Sequence, residues 1–297
     1  NGGQVGSGQR MDQVWIEKHF GKTRAKALWQ MAEDAKALVR DLIHRHAMPC
    51  TFHPGIAHAC WTEAQVRDTH AYAEKLARDY GYTQIEPLDR AGIRALIGSK
   101  VYKGGEIDRG AGHVHPLNFA IGLARAALAA GAVIHEVSPV TRIQQGPQVR
   151  VETDQGVVIA DQLVLACNGY LGDLAAPVAA RVMPINNFMV ATEPLGARAA
   201  QTLSQPVAVH DTKFVVNYWR LSEDGRLLFG GGESYGWRFP DLKKTVLKPM
   251  LEVYPQLADA RIDHAWGGTL AITMNRMPAF VRLGPNALSA SGYSGHG

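Results

Sequence analysis

The sequence predicts an α/β fold in which two domains are interleaved. Amphipathic helices alternate with short apolar strands before about residue 180, whereas residues 184–266 carry longer strands interrupted by one helix. That change is typical of α/β segments followed by a mixed α+β sheet. The chain has 297 residues, of which 46% are hydrophobic and 20% charged, so it has enough apolar residues for a substantial core and is not a disordered chain.

Charge and cysteine content restrict the class of protein. The sequence has 31 Lys and Arg against 27 Asp and Glu, a net charge of +4 that is spread along the chain and predicts no nucleic-acid surface. No apolar stretch reaches the roughly 18 residues of a membrane span. Cys50, Cys60 and Cys167 are few and odd in number, which favours a reducing cytoplasm. Cys167 lies in an apolar run and is predicted to be a core residue.

Helical spacing and capping residues predict the helices. Apolar residues recur at steps of three and four in the first long helix, which Pro49 ends. Gly81 stops the second helix, and Asp89 caps the third. The helices are predicted at residues 23–47, 62–80, 89–96, 117–130 and 244–254.

Short apolar and β-branched runs predict the strands. Residues 163–167 show no alternation, which is typical of a strand buried on both faces in a parallel sheet. Asp224-Gly225 between two apolar runs predicts a hairpin turn. The remaining strands are predicted at residues 133–137, 149–153, 157–159, 188–192, 214–221 and 226–231.

Both ends of the sequence suggest a fragment of a longer protein. The chain opens at Asn1 without a methionine or a secretory signal. It stops in a glycine-rich turn, residues 292–297, that would normally lead into a helix. Backbone N–H groups at such a turn favour an anion or a developing negative charge, although an ordinary strand-to-helix turn is an equal alternative. No stretch of the sequence fits G-x-G-x-x-G. The dinucleotide-binding fingerprint is therefore absent and does not support a cofactor role for this turn.

Three further groups of residues carry alternatives. His113 and His115 would share one face of a strand, but no Cys/His cluster completes a metal site, so structural or substrate-side roles are favoured and no metal is predicted. Residues 230–232 would either cradle a phosphate or allow close backbone packing. On a strand, Tyr218 and Arg220 face one side and Trp219 the other. Either one of these sides lines a pocket, or Trp219 faces the core and Arg220 is solvated. No hydrolase triad, paired carboxylates or P-loop is present.

Seven motifs together resemble the flavin-dependent family that includes D-amino-acid oxidase, glycine oxidase and sarcosine oxidase. They follow the family's order over nearly the whole chain, and the resemblance is greatest to the branch that acts on gamma-glutamylputrescine in putrescine catabolism. The motifs are residues 1–4, 112–118, 166–173, 218–221, 225–232, 276–278 and 292–297.

The resemblance implies an FAD-binding Rossmann-like domain interleaved with a mixed α+β substrate domain. In the family a strand, a G-x-G-x-x-G turn and a helix precede the Asn-Gly-Gly loop, so the FAD-binding domain is expected to be incomplete here, without its N-terminal βα unit, and the fragment alone to be inactive. The implied FAD-binding segments are residues 1–47, 112–182 and 270–297, and the implied substrate-binding segments are residues 48–111 and 183–269.

The same resemblance implies FAD as the cofactor. Sarcosine oxidases attach their flavin to a cysteine in the region that corresponds to residues 269–276, where this sequence has none, so the implied FAD is noncovalent. The first four residues would lie beside the isoalloxazine ring and the last six near its N1–C2 edge, where the positive end of a helix would stabilise the reduced flavin. The implied cofactor-binding residues are Asn1, Gly2, Gly3, Gln4, Val140, Asn168, Gly169, Gly292, Tyr293, Ser294, Gly295, His296 and Gly297.

For the substrate, the resemblance implies an amine. Glycine and D-amino-acid oxidases hold a carboxylate with an arginine shortly after a Trp-x-Gly stretch, but here no arginine follows Trp266 until Arg276. That departure favours gamma-glutamylputrescine or a related polyamine adduct, oxidised to an imine by hydride transfer to flavin N5, with O2 or another acceptor completing the reaction. No catalytic acid or base is assigned. The implied substrate-side residues are His115, Tyr218, Trp219 and His296.

Three alternatives remain open for the function. The first is oxidation of glycine, sarcosine or a D-amino acid, and the second is a dehydrogenase that passes its electrons to a quinone. The third is a non-catalytic binding protein that has kept the substrate domain and lost the flavin site.

Overall fold

The computed structural model describes residues 2–236 and 238–296, which form helices around three sheets. The helices of this part of the chain are α1 (Gln13–Phe20), α2 (Lys22–Arg45), α3 (Glu63–Tyr80), α4 (Arg90–Ile97), α5 (Pro116–Ala129), α6 (Ala176–Ala179), α7 (Arg198–Thr202) and α8 (Leu242–Val253). The strands are β1 (Gln4–Val5), β2 (His53–Cys60), β3 (Ile85–Leu88), β4 (Gly104–His113), β5 (Val140–Gln144), β6 (Val149–Thr153), β7 (Val157–Ala160), β8 (Leu163–Leu165), β9 (Val182–Pro194), β10 (Ala208–Asp211), β11 (Tyr218–Leu221), β12 (Arg226–Ser234), β13 (Ile262–Thr273), β14 (Ala279–Gly284) and β15 (Ala287–Ser291). The mixed α/β class that the sequence predicts is confirmed.

The largest sheet has nine strands within the described residues and provides the framework of the site. Its order is β1-β4-β2-β10-β11-β12-β9-β13, with β3 also paired to β4. The β2–β10 pair is parallel, and its other pairs are antiparallel. Two three-stranded sheets, β14-β15-β8 and β5-β6-β7, complete the described topology.

One face of the nine-stranded sheet packs against the main hydrophobic core. Aromatic side chains lie at the centre of this core. Trp219 stacks on Phe229 at a centroid distance of 5.4 Å, and the Tyr254 ring packs edge-on against the Trp219 indole. Helices α4 and α8 cover this face with Ile93, Ile97, Val246 and Met250. Since successive side chains of a strand point to opposite faces, the other face is left to carry polar groups.

The predicted helices are confirmed, and local capping explains their boundaries. The Thr62 side chain accepts a hydrogen bond from the Gln65 backbone N–H, and the Gln65 side chain accepts one from the Thr62 backbone N–H. Helix α3 therefore begins with a capping box. Asp89 caps α4 by accepting from the backbone N–H of Gly92. Among these described helices, none is both long enough and apolar enough to cross a membrane.

Three strand predictions need correction. Residues 133–137 form no strand, because no described strand runs beside them and Val137, which is 92% exposed, has a left-handed backbone with φ 52°. Strand β11 begins at Tyr218 and not at residue 214, because Asn217 donates both its backbone and side-chain N–H groups to Asp211. Residues 163–165 do pair in parallel with β15, but Val164 is largely exposed, so this strand is not buried on both faces.

The hairpin of β6 and β7 and the hairpin of β11 and β12 are confirmed. Cys167, predicted to be a core residue, is half-buried beside the small cluster around Leu165 and Leu171. The division of the chain into FAD-binding and substrate-binding segments stays a prediction.

Candidate cofactor and substrate site

The N-terminal loop lies between the end of β4 and a tyrosine of β11. A Cβ on Gly2 would lie 2.8 Å from Cδ2 of Tyr218, and one on Gly3 would lie 2.1 Å from the carbonyl oxygen of Val114. Gly3 also has φ +80°, a backbone conformation that side chains other than glycine rarely adopt. Its carbonyl accepts a hydrogen bond of 2.8 Å from Val114 N. The loop is therefore held at distances that only glycine permits.

A row of polar side chains crosses the sheet face opposite the main core. Glu106, His58, His210 and Tyr218 stand directly opposite one another on β4, β2, β10 and β11, and directly opposite residues share a face. The two imidazole rings are 4.7 Å apart. Gln4 joins this row to the N-terminal loop, because its Oε1 accepts from His210 Nδ1 at 3.2 Å while its Nε2 donates to the Val209 carbonyl at 2.9 Å.

Burial keeps the imidazoles of this row neutral. It lowers the pKa of His58 to about 4, a shift that the charge of Asp211 opposes only in part. The pKa of His210 lies well below its usual value, first through burial and then through electrostatic interaction with His58, His296 and Arg10. His296 keeps an open face, yet the protein around it desolvates the ring and, with Arg10, lowers its pKa to about 4. Near pH 7 this row of side chains, one wall of the candidate site, therefore presents neutral nitrogen atoms.

Two arginines near this wall lack a counter-ion. Arg10 and Arg276 are half-buried, and neither makes an ion pair or a side-chain hydrogen bond within residues 2–236 and 238–296. Burial lowers the pKa of Arg10, and the charge of Arg276 lowers it further, so the two guanidinium groups are near enough to repel each other. Arg276 also has a left-handed backbone, with φ 61°. An anionic ligand group would relieve this arrangement.

A second glycine-containing cluster forms at the end of β13. Gly292 N donates to Asn168 Oδ1 at 3.2 Å, and Ser294 N donates to the Ala271 carbonyl at 3.1 Å. A Cβ on Gly169 would lie 2.3 Å from the Thr269 carbonyl oxygen, so the 168–169 turn also packs directly on β13. The two turns that the sequence placed near a cofactor are thus neighbours.

The structure brings several of the predicted cofactor residues together. Gly2, Gly3 and Gln4 form one wall with Tyr218, and His296 is linked to them through its effect on His210. Asn168, Gly169, Gly292 and Ser294 form the second cluster, with Tyr293 and Gly295 in the same turn. Val140 begins β5 on a separate sheet, where it pairs with Thr153. Asn1 and Gly297 lie outside the described residues.

The four predicted substrate residues differ in their surroundings, and His296 lies exposed in the turn that follows Gly292. Tyr218 lies on the polar face against Gly2. His115 is exposed and caps α5, where its Nδ1 accepts a hydrogen bond of 3.3 Å from Asn118 N. Trp219 is 1% exposed and packs in the main core, which corrects the expectation that it contacts substrate, because strand alternation turns it away from the polar face.

Sequence reasoning missed His58, His210 and Glu106. His58 and His210 each follow small or apolar residues of their strands, which is the signal that was available, whereas Glu106 shares β4 with Asp108 and Arg109 and does not stand out. Their proximity could not be predicted, because it depends on the register of β4, β2 and β10 in the folded sheet. His58 and His210 are adjacent on this face, yet no group of three or more His, Cys, Asp or Glu within the described chain is arranged to hold a metal ion.

Comparison with known proteins assigns the family. The model of the DAO family, described as FAD dependent oxidoreductase, matches residues 1–297. The chain therefore belongs to this family of FAD-dependent oxidoreductases, and FAD is its cofactor. A probable oxidoreductase OrdL of Rhizobium meliloti (strain 1021) is 40% identical over 299 residues, 100% of this chain and 70% of that protein. The gamma-glutamylputrescine oxidoreductase of Escherichia coli (strain K12) is 37% identical over 300 residues, again 100% of this chain and 70% of that protein.

Solved structures show the same fold. Glycine oxidase from Geobacillus kaustophilus matches with a TM-score of 0.76 at 20% identity, covering 99% of this chain and 78% of that chain. Iminodiacetate oxidase from Chelativorans sp. BNC1 matches with a TM-score of 0.74 at 14% identity, covering 99% of this chain and 80% of that chain. The predicted fold class, an FAD-binding fold with a mixed α+β sheet, is confirmed.

Proposed function

We propose that this protein oxidises an amine to an imine, which water then hydrolyses. The observation that carries the proposal is the desolvated, neutral wall of His58 and His210, whose rings are 4.7 Å apart, with the guanidinium of Arg10 nearby. An environment that holds imidazoles neutral also disfavours an ammonium ion, so a bound amine would lose its proton. Its lone pair is then free to support removal of hydride from the neighbouring carbon, and no dedicated protein base is required.

The glycine-lined turns are the proposed binding site of FAD. Gly2, Gly3 and Gln4 would lie beside the isoalloxazine ring, on a loop whose glycines let its backbone pack directly against Tyr218 and Val114. Asn168 and Gly292 would contact the cofactor from the second cluster, Val140 would lend its backbone to the adenine, and Asn1 and Gly297 would complete the set. When bound, FAD supplies the two-electron acceptor, with dioxygen as the proposed final oxidant.

Gamma-glutamylputrescine is the proposed substrate. It carries a primary amine at one end and a carboxylate at the other, and the named E. coli relative acts on it. The amine end suits the neutral wall of His58 and His210, while the carboxylate would provide Arg10 and Arg276 with the counter-ion they lack among the described residues. His115, Tyr218 and His296 remain the proposed substrate-side contacts from the sequence.

The proposal is tested by product analysis of the FAD-loaded, full-length protein. Gamma-glutamylputrescine in air is expected to give equal amounts of hydrogen peroxide and of the aldehyde left after imine hydrolysis. Putrescine is the matched control, because it has the amine without the carboxylate and is expected to react at higher KM. Turnover of sarcosine or glycine in preference to either amine would contradict the proposed substrate. Aldehyde formed only with an artificial acceptor, and without peroxide, would contradict the oxidase.

The three free cysteines support a reducing compartment. Cys50 and Cys60 are buried and Cys167 is half-buried, and all three are unpaired. We accordingly propose the cytoplasm as the site of action.

A further inference from the structure

Arg220 is a buried cation that reaches the N-terminal loop. It lies on β11 and is 7% exposed. Its Nε donates a hydrogen bond of 2.9 Å to the carbonyl oxygen of Gly2, which is 218 residues away in the sequence, and its Nη1 donates to the Leu221 carbonyl at 3.2 Å. No carboxylate of the described residues lies within ion-pair distance of this guanidinium. Arg220 therefore binds two neutral carbonyls in place of an anion.

Tyr218 contacts the same glycine from the same strand. Its ring lies against Gly2, where a Cβ would come within 2.8 Å of Cδ2. On its other side the ring crosses Gly230, where a Cβ would lie 2.1 Å from Cζ. The Tyr218 hydroxyl donates to Oδ1 of Asn187. The Tyr218 ring is packed between two glycines and its hydroxyl is hydrogen-bonded. These contacts together hold the ring in place.

Burying a guanidinium without a counter-ion is energetically unfavourable. A buried, unpaired arginine is therefore retained where other interactions depend on it. Burial lowers the pKa of Arg220, while Glu223 and the Cys50 thiol oppose that shift. The Arg220 charge in turn helps burial to lower the pKa of His113 to about 3. Among the described residues Glu223 makes no ion pair with Arg220, so the Gly2 carbonyl, at 2.9 Å, is the shortest polar contact of this side chain.

We infer that Tyr218 and Arg220 act together as a clamp that positions the Gly2–Gln4 backbone for FAD. The ring fixes the Cα of Gly2, and the guanidinium fixes the direction of its carbonyl. Gly3 and Gln4, which follow directly, are thereby held against Val114 and His210. The inference rests on the proposed placement of this loop beside the isoalloxazine ring. Both are positioning residues, and neither is assigned a step in the chemistry.

The first test measures FAD affinity in the full-length protein by titration of flavin fluorescence. R220Q is expected to weaken FAD binding about tenfold, the loss expected for one hydrogen bond to a charged group. R220K should recover part of that loss, because it keeps the charge without the planar donor geometry. R226Q is the matched control: Arg226 lies on the neighbouring strand, pairs with Asp224 and Asp263, and should leave FAD affinity within about twofold.

The second test is a double-mutant cycle between Gly2 and Tyr218. G2A places a methyl group against the ring, and Y218L removes the ring, so the double variant should bind FAD better than the sum of the two single losses predicts. The same cycle is measured on the melting temperature of the protein without FAD, where the two changes should again be non-additive.

The outcomes separate this inference from the proposed function. Equal FAD affinity in the wild-type protein and R220Q, or additive effects of G2A and Y218L in both measurements, would overturn the clamp. A wild-type protein that binds FAD but leaves gamma-glutamylputrescine unoxidised, combined with weaker FAD binding by R220Q and a non-additive cycle, would keep the clamp and refute the proposed function.

Discussion

Glu106 gives the most quantitative prediction, because its ionisation is suppressed in the folded state. The side chain is 8% exposed, and its Oε2 has no hydrogen-bond partner. Burial, followed by the nearby charge of Asp108, raises its pKa from 4.5 to about 8. Asp108 itself accepts hydrogen bonds from Ser7 and Tyr82, and His58 stands opposite Glu106 on β2. We propose Glu106→Gln, which keeps the shape of the side chain and removes its charge.

The folded protein holds the Glu106 proton more tightly than the unfolded chain does. As pH rises above about 4.5 the unfolded chain releases this proton while the folded protein keeps it, so the free energy of unfolding falls until pH reaches about 8. At 1.36 kcal/mol for each pH unit between the two pKa values, the wild-type protein should lose roughly 3–5 kcal/mol through this group. E106Q should match the wild-type protein within about 1 kcal/mol at pH 5 and be more stable by roughly 3–5 kcal/mol at pH 9.

Urea denaturation followed by circular dichroism from pH 5 to pH 9 measures this difference. Other ionisable groups contribute equally to both proteins and cancel in the comparison. E86Q is the matched control, because Glu86 is exposed on the neighbouring strand β3 and should leave the pH dependence of wild type unchanged. Parallel pH profiles for the wild-type protein and E106Q would refute the reasoning.

Three further predictions follow from single contacts. W219A removes the ring stacked on Phe229 and should cost about 3–5 kcal/mol of unfolding free energy in urea; a loss below about 1 kcal/mol would contradict its place in the core. N168A removes the acceptor of the Gly292 N–H and places alanine at φ 47°, so it should cost about 1–2 kcal/mol and weaken FAD binding in a fluorescence titration. R10Q should raise KM for gamma-glutamylputrescine about tenfold and leave KM for putrescine unchanged in a peroxide assay; equal effects on both amines would argue against a carboxylate contact.

Local signals in the sequence were sufficient for five of the helices, whereas α1, α6 and α7 were not predicted. Thr62 with Gln65 and Asp89 with Gly92 mark helix starts through contacts within three residues, so a linear sequence contains all the information needed. Residues 133–137 have the β-branched composition of a strand but no described neighbour to pair with, and composition alone does not supply hydrogen-bond partners.

The site depended on contacts that a linear sequence does not show. His58 and His210 meet because β2 and β10 pair in parallel, and Arg220 meets Gly2 across 218 residues. The C-terminal glycine turn and Tyr218 stood out in the sequence and took their proposed roles from resemblance to a family, whereas the histidine row and the two unpaired arginines required the folded structure. Trp219 shows the same limit, since alternation placed it opposite Tyr218 but did not say which face was the core.

The most direct test of the proposed chemistry is anaerobic mixing of the FAD-loaded, full-length protein with gamma-glutamylputrescine while the visible flavin band is followed. Without oxygen, bleaching of that band requires electrons from the amine, so the measurement is independent of the final acceptor. We predict rapid and complete bleaching with gamma-glutamylputrescine and slower bleaching with putrescine at the same concentration. A band that stays unchanged with both amines, in a protein that has bound FAD, would contradict amine oxidation.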